Sequence, residues 1–130
     1  LEYALDQKQL DEMDNILKKN IIDMGVHCVC LIDLAGNVVI SLCDAKVNYN
    51  IYSLAALAAG NFGAVNAMAK IIGEEEFSLL FHKGQKQNIF FSKISREFLL
   101  IVIFSKEISL GFLRLKVDDA TEKIKKIIRS

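Results

Sequence analysis

Proline is absent from all 130 residues. Its absence rules out stiff proline-rich spacers, and a composition of 52% hydrophobic and 25% charged residues argues against a disordered chain. Surplus charge is lacking too: sixteen basic and sixteen acidic residues cancel, and neither sign forms a long block. The field that neutralises phosphates is therefore missing, which excludes nucleic acid as an expected partner. Cysteine is scarce. Cys28, Cys30 and Cys43 leave one unpaired in any disulfide scheme, and so apolar a chain has little need of staples, so reduced core thiols are expected. The chain starts at Leu1-Glu2 without methionine and nothing in it reads as a secretory or transit segment, which makes a cytoplasmic protein the expectation. A phosphate-binding Gly-x-x-x-x-Gly-Lys-Ser/Thr run is also missing, so the chain is not itself read as a nucleotide hydrolase.

What is present fits a single domain over residues 1–130. Leu10, Met13, Leu17, Ile21 and Met24 recur at helical steps and predict an amphipathic helix from Asp6 to Met24, ended by Gly25. Two apolar runs, Val26–Asp33 and Val38–Cys43, flank a Gly-Asn turn and predict a hairpin. A stretch rich in alanine predicts a helix from about Ile51 to Ile72, closed by Gly73. Runs at Glu76–His82, Asn88–Ile94 and Phe98–Phe104, joined by short connections, predict three sequential antiparallel strands. Leu110, Leu113, Val117, Ala120, Ile124 and Ile127 mark a terminal helix. The order αββαβββα implies an α/β (α+β) domain with one five-stranded antiparallel sheet covered by helices.

The central helix carries most of the functional information. Small residues at Ala56, Gly60, Gly63 and Ala67 line up on one face. Glycine inside a helix is unfavourable by about 1 kcal/mol relative to alanine, so a close-packed neighbour is expected there. That neighbour could be the chain's own sheet. However, Leu54, Leu57, Asn61, Val65, Met68 and Ile72 form a second stripe on the other side, and a helix apolar nearly all round needs cover on both sides. A second subunit supplies it most simply. Asn48, Asn50, Ser53, Asn61 and Asn66 interrupt the stretch and argue against membrane insertion.

Enzyme chemistry has little to build on. Cys28 and Cys30 share a strand face, but His27 points the other way and no Cys-x-x-Cys pair exists, so no metal and no cofactor is expected. Two histidines, His27 and His82, without a nucleophile motif argue against cysteine catalysis, and His82 reads as a solvated strand-end residue. Glu74-Glu75-Glu76 reads as a solvated connection between helix and strand. Nothing supplies the convergent polar groups of a small-molecule sensing pocket.

The hairpin Val26-His-Cys-Val-Cys-Leu-Ile-Asp-Leu-Ala-Gly-Asn-Val-Val-Ile-Ser41, the alanine-rich helix, the step Gly73-Glu-Glu-Glu76 and the Leu110-Gly-Phe-Leu-Arg-Leu115 opening of the last helix resemble, in order and spacing, the Roadblock/dynein light chain family. The resemblance spans about Asp6 to Ile128 and implies a profilin-like Roadblock fold. It also implies a non-catalytic homodimer, paired through the central helix and through the edge strand that follows it. The residues this assigns to dimer or partner contact are Leu54, Ala56, Leu57, Gly60, Asn61, Gly63, Ala64, Ala67 and Met68, with Phe77, Ser78, Leu79, Leu80 and Phe81 on the edge strand. Family members act as platforms for small Ras-like GTPases, as scaffolds, or as dynein light chains, and prokaryotic members of the MglB type stimulate GTP hydrolysis by a polarity GTPase. Of the three arginines, Arg96, Arg114 and Arg129, none is well placed as an arginine finger, so indirect stimulation through the partner's switch loops is the expected mode. The competing expectation is a scaffold or motor light chain that bridges larger proteins independently of nucleotide.

Overall fold

In a computed structural model, residues 5–77 and 80–129 are described. Helix α1 runs Gln7–Asn20. Its start is set by a capping box: the Asp6 carboxylate accepts from the Gln9 amide at 2.8 Å, and the Gln9 side chain accepts from the Asp6 amide at 3.0 Å. The expected helix to Met24 is interrupted. Ile21 caps the helix, its amide still donating to the Leu17 carbonyl, and Ile22–Met24 form a 3-10 turn closed by Gly25 in the left-handed region at φ 91°.

Strands β1 (Cys28–Asp33) and β2 (Val38–Cys43) form the expected hairpin, followed by helix α2 (Ile51–Ile71), strands β3 (Leu80–Lys83), β4 (Gln87–Lys93) and β5 (Phe98–Ser105), and helix α3 (Leu110–Arg129). All pairings are antiparallel and the sheet order is β2-β1-β5-β4-β3, which places the two hairpin blocks side by side with β1 and β5 at the junction. Strand β3 is shorter than the run Glu76–His82 suggests. The register Leu80↔Phe91 would bring Phe77 opposite Ile94, but β4 has ended at Lys93 and the Ile94 amide already donates to the Phe98 carbonyl. Phe77 therefore precedes the strand instead of belonging to it. Ser78 and Leu79, also assigned to that strand, lie outside the described residues.

The sheet is covered on both faces, which is why β1 and β5 read as unbroken apolar runs instead of alternating ones. Val29, Leu31, Leu100, Val102 and Phe104 point to one face, where Met13 and Leu17 of α1 and Leu113, Val117 and Ile124 of α3 complete a core. Helices α1 and α3 are tied further by the Gln9 side chain, which donates to the Ile127 carbonyl at 3.0 Å. Cys28, Cys30, Ile32, Leu99 and Ile101 point to the other face, under α2.

The cysteine expectation requires correction. Cys28 and Cys43 are directly opposed in the β1–β2 register and joined by a disulfide, leaving Cys30 as the buried free thiol. A separation of fifteen residues in sequence does not reveal this pairing; only the hairpin register does.

Candidate interaction surface on the central helix

Helix α2 begins where the Asn50 side chain accepts from the Ser53 amide at 3.1 Å. It ends at Gly73, whose φ of 88° suits glycine. Its buried residues are Ala55, Ala58, Phe62 and Ala69, the first three packed in the core against the sheet. Ala55 and Ala58 let the helix axis approach closely and Phe62 fills what they leave. The tip of the β1–β2 hairpin also abuts this helix: a Cβ at Gly36 would lie 3.1 Å from the Ala56 Cα.

Most of both stripes noted in the sequence lies outside this contact; Leu54 is the exception and packs against the edge of the core under α2. Ala56, Gly60, Gly63, Ala64 and Ala67 are exposed, as are Leu57, Asn61 and Met68; Leu54 is half-buried. The chain's own sheet therefore does not cover the small-residue face. A methyl group added at Gly60 or Gly63 would meet no atom within 4 Å among the described residues. Leu57 is 73% exposed and Met68 55%, and Tyr52, Ile71 and Ile72 extend the same apolar surface. Period alone does not mark Tyr52 and Ile71, whose helical phase becomes clear only once the inner face is known. Lys70 is the one charged residue in α2, so this face offers water little to bind.

The helix and the open edge of the sheet meet. The Asn61 side chain lies 3.4 Å from His82 Nε2 on β3, and the His82 ring stands edge-on to Phe91 at 5.7 Å. His82 is thus exposed, yet positioned by α2 and β4 together. Leu80 and Phe81 are half-buried on β3, the outermost strand beyond β4. Glu76, in the acidic connection, pairs with Lys93 at 3.2 Å. Arg96 and Arg114 are both exposed, Arg96 in the β4–β5 turn and Arg114 on α3.

By length and composition alone α2 could cross a membrane. Here Ala55, Ala58 and Phe62 pack on the sheet.

Comparison with known proteins bears on this surface. The Roadblock/LC7 domain model matches residues 23–104, from the 3-10 turn through β5. MglB from Myxococcus xanthus superposes with a TM-score of 0.88 at 30% identity, covering 97% of this chain and 94% of that one. The gliding protein MglB from Thermus thermophilus gives 0.88 at 25% identity over 98% and 96% of the two chains. An MglB solved in a tetrameric arrangement gives 0.90 at 25% identity with the same coverage. The matched segment contains the whole sheet together with α2, and on that basis this chain belongs to the Roadblock/LC7 domain family.

Proposed function

We propose that this protein is a homodimeric, non-catalytic platform that binds and regulates a small Ras-like GTPase. The observation that carries the reading is the uncovered outer face of α2, nearly free of charge and continuous with the open edge strand β3. A face of this kind is stabilised by a partner that removes Leu57, Met68, Ile71 and Ile72 from water, each worth roughly 1.5–3 kcal/mol if fully buried. Gly60 and Gly63 provide the close approach that a facing helix requires, and nothing among the described residues uses it. Likeness to MglB over nearly the full length supports a regulator of that type.

Regulation in this reading is linkage: a dimer that favours one nucleotide state of the GTPase must bind that state more tightly. The test is affinity capture from native lysate in parallel with GDP and with a non-hydrolysable GTP analogue. Enrichment of a small GTPase only with the analogue is expected. Nucleotide-independent capture of motor or scaffold subunits, without any GTPase, would overturn the proposal.

A further inference from the structure

On the face of the β1–β2 hairpin turned toward α2, two facing positions on each strand form a quadrilateral. Register pairs Cys28 with Cys43 and Cys30 with Ser41. The three cysteine sulfurs lie within 4.8 Å of one another. Cys28 Sγ and Cys30 Sγ are 3.8 Å apart, Cys30 Sγ and Ser41 Oγ 3.8 Å, and Ser41 Oγ and Cys43 Sγ 3.9 Å. The fourth side, Cys28 to Cys43, is closed by the disulfide.

Zinc–thiolate bonds of about 2.3 Å in a tetrahedron set neighbouring sulfurs about 3.8 Å apart. The side joining the Cys28 and Cys30 sulfurs already has that length, the third sulfur lies within 4.8 Å of both, and the Ser41 oxygen stands between Cys30 and Cys43. The geometry points to a redox-gated zinc site, formed in the reduced protein by the thiolates of Cys28, Cys30 and Cys43, with the Ser41 hydroxyl or a water completing the tetrahedron. Opening the site takes two electrons and two protons. An external dithiol supplies both, its own thiols becoming a disulfide as the Cys28–Cys43 bond breaks to two thiols. Zinc then displaces the three thiol protons to solvent, so binding tightens as pH rises.

The surroundings decide between metals. Cys28 and Cys30 are buried among Ile32, Ile101 and Ile103, where excess charge is costly. Three thiolates leave a net charge of −1 around a divalent ion but −2 around monovalent copper, so zinc fits better. Ser41 and Cys43 are exposed on β2, an edge strand, and give the ion its way in. Disulfides are rare in reducing compartments, where the open form would prevail.

Cobalt(II) tests the site as a spectroscopic stand-in for zinc. Titrating it into the full chain, reduced with a phosphine under nitrogen, is expected to give the thiolate-to-cobalt charge-transfer band of a tetrahedral site, lost on adding zinc. The untreated disulfide form is expected to give none. Cys43→Ala changes an exposed residue, and its fold is checked by circular dichroism; it should weaken cobalt binding at least tenfold, while Ser41→Cys should strengthen it. No charge-transfer band from the reduced chain, or an undiminished one from folded Cys43→Ala, would overturn the site.

Discussion

Asp33 shows how a single side chain holds the β1–β2 turn. Its carboxylate accepts from the Asn37 amide at 2.8 Å, the Asn37 side chain at 2.9 Å and the Ala35 amide at 3.0 Å. Burial pushes this carboxyl up, but the hydrogen bonds from Asn37, Ala35 and Gly36 outweigh it and hold the group below its usual 3.8. A carboxyl depressed in the folded state stabilises above its unfolded pKa, and that contribution is lost as pH falls through the folded value. Asp33→Ala should therefore cost about 1–3 kcal/mol at neutral pH, and the difference from the unaltered protein should shrink below about pH 4. Urea melts at several pH values measure this. Gly36 is constrained twice over, by φ 93° and by its approach to the Ala56 backbone. Gly36→Ala should destabilise by about 1–3 kcal/mol, while Gly60→Ala, in open helix, should stabilise the isolated chain by up to about 1 kcal/mol. Thermal melts of the two variants separate the effects.

At the scale of elements, α2 is unusual because its two faces answer to different demands. The inner one is mostly alanine and is satisfied by the sheet; the outer one is apolar and has no cover among the described residues. A large residue on the outer face should therefore leave the monomer fold intact. Gly63→Leu is expected to retain native circular dichroism while lowering self-association at least tenfold, read by analytical ultracentrifugation. Unchanged self-association would remove α2 from the interface. By contrast, Phe62→Ala, on the inner face, should cost about 3–5 kcal/mol of stability.

For the molecule as a whole, the proposed pairing through the uncovered α2 face and the open β3 edge makes a prediction about stability. A homodimer that buries both should melt at a temperature that rises with protein concentration, by about 2–4 °C for each tenfold increase. A melting temperature independent of concentration would mean that the α2 face stays open. Net charge of zero adds no long-range repulsion between two copies.

Much of this architecture is legible in the sequence. Period, turn residues and run length located all eight main elements, because helix and strand patterns depend on local backbone geometry. Boundaries were less legible: Glu76 and Phe77 stand outside β3 because β4 ends at Lys93, before it could pair with them, and α1 gives way to a 3-10 turn after Ile21. The candidate surface was read in outline, since an uncharged helix announces that both sides want cover. Which side faces the sheet was not, because Ala55 and Ala56 are chemically the same residue, and only docking against Cys30, Ile101 and their neighbours buries one and exposes the other. The cysteines show the same limit. Sequence determined that Cys28 and Cys30 share a face; register alone brought Cys43 and Ser41 to it, because the pairing of two strands is a property of the fold and not of either strand.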